Sequence, residues 1–242
     1  MKKQIINIDR SDEKEIIERL RKEDSIDANR ILRFYDCADL TRMDWNPVNM
    51  VAQRVKAIDM FKDFDEIVTP EIVWVYETFD LFNFTPDHPA RSKSDTYYAD
   101  EDKILRTHTT VMWYYYLKYP WIKEKLERDG EIGALSHGKV YRKDEIDNRH
   151  YPVFHQIDGL YICEKSKKII WKDELVDVLI KMAKSIYGED IEYRVGDDKF
   201  PYTDPSVEME VKFWDKRLEI LGSWVVLPTV LDNLGIDSSR YN

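Results

Sequence analysis

Glycine and cysteine are scarce in this sequence, and basic residues are outnumbered by acidic ones, 37 to 47. Only 8 of the 242 residues are glycine, about half of the average usage of roughly 7%, so a glycine-rich phosphate loop is not expected. Cys37 and Cys163 are the only cysteines. Two isolated thiols exclude a CxxC metal motif and favour reduced residues over a disulfide. The formal net charge of −10 argues against broad, sequence-independent binding to nucleic acid, which requires clustered lysine and arginine.

Long apolar runs are also absent. No stretch approaches the roughly 18 residues that a membrane-spanning helix needs. The first residues, MKKQIINIDRSDEKE, become acidic at once and contain no apolar signal region. We therefore expect a cytoplasmic protein without a membrane partner. The hydrophobic share of 43% is enough for one large core, with room for a short appendage.

Hydrophobic periodicity divides the chain into an N-terminal helical appendage, residues 1–45, and a larger unit, residues 46–242. In the appendage, residues 11–22 show one apolar helical face, whereas the residues after them are polar and weakly periodic. In the larger unit, strands outnumber helices in the second half, and their spacing favours hairpins over βαβ units. We therefore predict an α+β fold, with an antiparallel β-sheet flanked by helices. The predicted elements of this unit are a helix from Asn46, a β-rich segment over 66–74, a short strand over 103–106, a helical region over 110–126 interrupted near Pro120, strands over 140–142 and 153–163, a helix over 168–187, and a strand over 206–213.

The last of these strands alternates clearly between apolar and charged residues. Val207, Met209 and Val211 are predicted to face the core, and Glu208 and Glu210 to face outward. Carboxylates on an open strand face suit a magnesium ion that bridges phosphates. A solvated acidic surface is the alternative.

The charged loop over 143–151 joins two predicted strands into a hairpin. Arg142 lies at the end of the first strand, and its guanidinium is suited to phosphate oxygens. Phe154 lies on the return strand and could stack on a purine. An ordinary hairpin with a surface arginine and a core phenylalanine is the alternative interpretation.

Two other local patterns resemble a phosphate-binding loop and a zinc site, but the neighbouring residues argue against both. Residues 133–139 match GxxxxGK, but Val140 follows where a P-loop has the hydroxyl that holds magnesium, and the next residues have strand character. His150 and His155 are five residues apart, but no carboxylate or thiol at ligand spacing completes a zinc site.

Six motifs occur in a fixed order between Asp87 and Gly222 and together carry a resemblance. They resemble the catalytic core of phenylalanyl-tRNA synthetase, the alpha-type chain, which is a class II aminoacyl-tRNA synthetase. The motifs are DHPAR (87–91), RTHTT (106–110), GKVYRKD (138–144), FHQIDGL (154–160), FPYTDPSVEMEV (200–211) and LEILG (218–222).

The resemblance implies a site for ATP on the hairpin. It assigns the α-phosphate to Arg142, which is the expected catalytic residue, and the adenine amino group to Asp144. It places His150 near the γ-phosphate and stacks Phe154 on the base. It also implies that Mg²⁺ binds the acidic strand, at Glu208 and Glu210.

The resemblance also implies an amino-acid site next to the ATP site. One pair of residues grips the amino and carboxylate ends of the substrate, a second pair holds its α-amino group, and two aromatic rings pack edge-on against its side chain. These pairs are, in order, His108 and Thr110, Gln156 and Asp158, and Phe200 and Tyr202.

The sequence departs from the family pattern at several positions. Tyr202 replaces a phenylalanine, Trp224 stands where the family has a glycine close to the amino-acid pocket, and Leu227 stands where it has a histidine. After Asp237 the family continues into motif 3, FGxGxER, whereas this sequence stops at Asn242. The core over 46–242 is therefore predicted to be incomplete at its C-terminal end.

The implied reaction is ATP-dependent activation of phenylalanine or a related amino acid, followed by transfer to tRNA. The implied assembly is a homodimer, formed through residues 47–74 as in the family, or a hetero-oligomer. One alternative is a paralog that adenylates an amino acid without charging tRNA. Another is a non-catalytic binding or assembly protein with the same fold.

Overall fold

The computed structural model describes residues 3–148 and 150–242. Helices and strands are interspersed along this length. The strands are β1 (Ile5–Asn7), β2 (Asp65–Val68), β3 (Ile72–Trp74), β4 (Lys103–Leu105), β5 (Glu131–Tyr141), β6 (Val153–Cys163), β7 (Tyr193–Phe200), β8 (Thr203–Phe213) and β9 (Lys216–Val226). The helices are α1 (Ser11–Leu20), α2 (Ile26–Tyr35), α3 (Pro47–Lys56), α4 (Val75–Thr78), α5 (Met112–Leu117), α6 (Pro120–Asp129), α7 (Lys172–Tyr187) and α8 (Pro228–Asn233).

In the described residues the strands form three sheets. The largest has the order β1-β2-β5-β6, and the others are β3-β4 and β7-β8-β9. The predicted α+β fold is confirmed, but the largest sheet is mixed: β1 and β2 are parallel to each other and to β5, whereas β5 and β6 are antiparallel. The parallel pairs involve strands of three and four residues, which are too short to show a periodic pattern.

The β5–β6 hairpin is the longest paired ladder of the largest sheet. Its register runs without interruption from Glu131↔Cys163 to Tyr141↔Val153. The prediction for β6 is confirmed. The first strand of the hairpin begins nine residues earlier than predicted, at Glu131 rather than Val140. Nearly every residue of β5 is buried, so it has no alternation that a sequence pattern could detect. The GxxxxGK segment lies within this strand.

The N-terminal residues pack into the core. Strand β1 adds to the largest sheet, and apolar residues of α1 and α2 form one cluster with Leu105 and Tyr141. The division of the chain at residue 45 stays a prediction.

A buried carboxylate joins α1 to the rest of the molecule. Glu13 accepts hydrogen bonds from the backbone N–H of Glu71 and of Ile72, the latter at 2.9 Å. It also accepts from the hydroxyl of Tyr35 at 2.9 Å and from Arg10 Nε at 2.6 Å. Because Glu13 is only 2% exposed, these donors replace the water that a carboxylate would otherwise require.

Helix α7 covers one face of the β7-β8-β9 sheet. Its residues Leu175 and Leu179 pack against Val207, Met209 and Val211, which are fully buried. The alternation predicted for β8 is therefore confirmed, and Glu208 and Glu210 lie on the opposite face. Within the two described ranges, no helix is long and apolar enough to cross a membrane. Cys37 and Cys163 are free thiols, as predicted.

Candidate functional site

An open cleft of ≈ 1950 Å³ lies between β6, β9 and α7. Strand β6 lines it from Phe154 to Tyr161, and three of these residues, Phe154, Gln156 and Asp158, are predicted site residues. These alternate residues share one face of the strand and span about 13 Å at about 3.3 Å per residue. Ten of the twelve predicted site residues line the cleft. The two that do not are His150 and Glu210.

The Arg142 side chain lies over the ring of Phe154. The guanidinium carbon is 5.2 Å from the ring centroid, within the range of a cation–π contact. Arg142 Nε donates to the carbonyl of Thr107 at 3.4 Å, and the Arg142 backbone N–H donates to the carbonyl of Pro152 at 3.1 Å. The arginine is exposed, so this end of the cleft presents a cation and an aromatic face together.

The loop after Arg142 places the other predicted nucleotide contacts at the surface. Asp144 is exposed and lines the cleft. His150 is exposed and turns back on its own loop, where its Nδ1 lies 3.0 Å from Asp147 Oδ1. Their roles toward ATP stay predictions.

His108 is half-buried and directly precedes Thr109, whose backbone N–H bonds Gln156 of β6. Both its ring nitrogens are inaccessible, and neither has a hydrogen-bond partner in the described part of the chain. Burial of the ring, together with the positive charge of Arg142, lowers the pKa of His108 to about 3, and the backbone of Thr78 acts in the opposite direction. The imidazole is therefore neutral near pH 7. Ring nitrogens that have neither water nor a well-formed hydrogen bond are costly to leave unsatisfied.

Asp158 is held by two donors from the segment that follows His108. Thr110 Oγ1 donates to Asp158 Oδ2 at 2.7 Å, and Trp113 Nε1 donates to Oδ1 at 3.3 Å. Burial raises the pKa of Asp158 to about 6, although both hydrogen bonds lower it. The neighbouring Gln156 accepts from the backbone N–H of Thr109 at 3.2 Å. The RTHTT segment and β6 thus form one polar cluster.

Aromatic side chains close the cleft beside this cluster. Phe200 and Tyr202 have centroids 5.7 Å apart. Trp224 packs edge-on against both, at 5.3 Å from Phe200 and 6.1 Å from Tyr202. Burial raises the pKa of Tyr202, and the negative charge of Asp158 adds to this effect. The Tyr202 hydroxyl therefore stays protonated.

The acidic face of β8 carries the predicted metal ligands. Glu208 is paired with Gly196 on β7 and with Gly222 on β9, so no side chain flanks it on either neighbouring strand. Partial desolvation raises the pKa of Glu208, and the nearby carboxylates of Glu219 and Asp198 raise it further. Carboxylate oxygens are suitable ligands for Mg²⁺. Among the residues that the structure describes, no group of three or more acidic, histidine or cysteine side chains could hold a metal, so an ion here would need oxygens from the nucleotide.

Two arginines from the motifs have structural partners that the sequence did not predict. Arg106 is 3% exposed and donates to the carbonyls of Lys139 (2.8 Å) and Thr69 (3.2 Å). Its guanidinium fills the space beside Gly138, where an added Cβ would lie 2.5 Å from Nη2. The sequence offered one signal for this contact. Arg106 directly follows an apolar strand, and Gly138 is an isolated glycine near the end of another strand. Arg91 binds Asp80 at 2.7 Å and anchors the DHPAR turn.

Comparisons with known proteins agree with the motif assignment. The family model for the tRNA synthetases class II core domain (F) matches residues 33–242. The phenylalanine–tRNA ligase alpha subunit of Coxiella burnetii is 35% identical over 199 residues, covering 81% of this chain and 57% of the relative. The alpha subunit of Corynebacterium jeikeium is 32% identical over 234 residues, covering 93% and 63%. The chain thus spans less than two thirds of the length of these relatives.

The fold comparison points in the same direction. The pyrrolysyl-tRNA synthetase of Desulfitobacterium hafniense superposes with a TM-score of 0.54 at 16% identity, covering 96% of this chain and 73% of that one. At this identity the match shows a shared fold only. The resemblance found in the six motifs is confirmed by the family match and by the curated relatives, and the chain belongs to the class II tRNA synthetase core domain (F) family.

Proposed function

We propose that this chain activates an amino acid with ATP, as the core of a phenylalanine–tRNA ligase alpha-type enzyme. The observation that carries the proposal is the order of side chains along β6. Phe154, beside Arg142, provides an aromatic and cationic end, and Asp158, bonded to Thr110 of the segment that carries His108, provides a polar end. An aminoacyl-adenylate has the same order of groups, from base to phosphate to amino acid.

The chemistry requires positioning and charge neutralisation but no side-chain nucleophile. The carboxylate of the amino acid attacks the α-phosphorus of ATP, and pyrophosphate leaves. Arg142 would bind the α-phosphate oxygens, whose negative charge increases in the transition state. Phe154 would stack on adenine, and Asp144 would accept from its amino group. Mg²⁺, when bound, would neutralise phosphate charge from the carboxylates of the β8 face, Glu208 and Glu210.

The amino-acid end of the cleft has complementary polar groups. Asp158 would pair with the α-ammonium group, together with the side-chain oxygen of Gln156. The unpartnered nitrogens of His108 offer one donor and one acceptor, because the ring is neutral. Thr110 would bind the same end of the substrate, and Phe200 and Tyr202 would contact its side chain.

The names of the relatives support a proposal for the acceptor of the amino acid and for the partner subunit. Those proteins are called alpha subunits of a tRNA ligase. We infer that transfer to tRNA, and association with a second subunit or a second copy, complete the function. The predicted cytoplasmic location stays a prediction.

Amino-acid-dependent exchange of pyrophosphate into ATP tests the activation step with the 242-residue chain. We expect exchange with at least one amino acid, and Arg142→Ala should reduce its rate by about 100-fold, the effect typical of removing one charge-stabilising donor. The matched control is Arg30→Ala, which removes an exposed arginine of α2 that pairs with Asp27. An absence of exchange with every amino acid, or equal rates for both variants, would refute the proposal.

A further inference from the structure

We propose that Trp224 excludes aromatic side chains from the amino-acid pocket and restricts it to a substrate with a small side chain. This inference rests on the proposed function and identifies the substrate class of the same site. The direction of the Trp224 side chain is visible only in the structure.

Trp224 points into the cleft and across its own strand. The register pairs Trp224 with Ser206 and Gly222 with Glu208, so all four residues lie on the open face of the sheet. A Cβ atom added to Gly222 would lie 2.8 Å from Cζ3 of the indole. The indole therefore covers Gly222, and it lines the cleft.

The indole makes the contacts that an aromatic substrate would make. It meets Phe200 at 5.3 Å with an interplanar angle of 61°, and Tyr202 at 6.1 Å with an angle of 89°. Edge-on contacts at these separations are those that aromatic pairs prefer. Phe200 and Tyr202 are the two residues that the resemblance assigns to the ring of the substrate. A side chain of the protein thus occupies the place of that ring.

The side chains that pack behind Tyr202 are buried and leave no space into which Tyr202 could move to admit a second ring. Phe82 contacts Tyr202 at 5.7 Å and 85°, and Trp113 contacts it at 6.4 Å and 80°. Phe82 is 0% exposed and Trp113 is 1% exposed. Forcing extra atoms into packing of this kind is strongly unfavourable. An aromatic amino acid would therefore bind only after the indole had left.

The polar end of the pocket is separate from this obstruction. His108 has no contact with the Trp224 ring among the aromatic pairs of the described residues, and Asp158 is held by Thr110 and Trp113. The α-amino and carboxylate groups of any amino acid can therefore be bound in the same way. A small side chain would face the indole without displacing it.

Binding of two non-hydrolysable adenylate analogues, alanyl- and phenylalanyl-sulfamoyladenosine, tests the inference by calorimetry. The unchanged chain should bind the alanyl analogue at least about tenfold more tightly than the phenylalanyl one. Trp224→Gly should shift the ratio of the two dissociation constants toward phenylalanyl by about 100-fold. Trp214→Gly is the matched control, because Trp214 is 92% exposed at a φ of 50° in the β8–β9 turn, and it should leave the ratio unchanged.

The possible outcomes separate the inference from the proposed function. Tighter binding of the phenylalanyl analogue by the unchanged chain would overturn the inference and leave amino-acid activation intact. Binding of neither analogue would overturn both. If Trp224→Gly does not fold, as judged by its circular dichroism, Trp224→Ala replaces it, and the ratio measured for the unchanged chain still decides.

Discussion

Asp158 should make the stability of the protein fall as the pH rises through about 6, in the absence of any ligand. Burial raises the pKa of this carboxyl from 3.8 to about 6 in the folded state. Between these two values the folded protein holds a proton that the unfolded chain has lost. Stability therefore decreases with increasing pH in this window, which is opposite to the effect of an aspartate in an ion pair.

The size of the effect follows from the two pKa values. With 3.8 for the unfolded chain and about 6 for the folded protein, linkage predicts that Asp158 contributes about 1.4 kcal/mol more stability at pH 5 than at pH 8. Asp158→Asn removes the titration. It also changes the hydrogen bonds to Thr110 and Trp113, but that change is the same at both pH values.

Urea unfolding of the unchanged chain and of Asp158→Asn, at pH 5 and pH 8, measures this contribution. The difference in free energy of unfolding between the two proteins should change by about 1.4 kcal/mol between the two pH values. The control is Asp44→Asn, at an exposed position, for which the difference should be constant. A constant difference for Asp158→Asn as well would show that this carboxyl is not desolvated as described.

Two further predictions concern stability and nucleotide binding. Glu13→Ala leaves several buried donors without an acceptor and should lower the free energy of unfolding by about 4 kcal/mol, which is about 8–16 °C in Tm. Glu15→Ala, at an exposed position of the same helix, should cost less than about 0.5 kcal/mol, and equal melting temperatures would contradict the role given to Glu13. Phe154→Ala should weaken ATP binding by about 10- to 100-fold, since stacking of one base is worth about 1–3 kcal/mol. Tyr76→Ala, at a side chain that is 54% exposed, should leave ATP binding unchanged, and an equal loss in both variants would refute the stacking.

The sequence pattern was informative where only one face of an element is buried. Strand β8 alternates because α7 covers one side of it, and the positions of Val207 and Glu208 were predicted correctly. Strand β5 is buried along almost its whole length, so its start could not be predicted. Strand β2 lies in the predicted β-rich segment, but its parallel pairing with β5 could not be predicted. Strands β7 and β9 were not predicted, since most of their residues are half-buried or exposed.

The direction of Trp224 could not be predicted for a different reason. The β8–β9 register shifts between Met209 and Glu210, so that Glu210 pairs with Glu219 but Met209 pairs with Leu221. A bulge of this kind reverses the faces of all residues beyond it. Counting alternate positions from Leu218 would place Trp224 on the face that α7 covers, whereas it lies on the open one. Motif order identified the family, but only the register shows on which face of the sheet Trp224 lies.

The uninterrupted pairing of β5 with β6 makes the candidate site sensitive to changes in length. Three residues that the proposed reaction uses lie at alternate positions of β6. A shift of one residue in this pairing would turn all three away and present His155, Ile157 and Gly159 in their place. A single deletion in β6 would therefore abolish nucleotide and amino-acid contacts together, even if every functional side chain were retained. Tolerance of the hairpin to insertions should be confined to the loop between its strands.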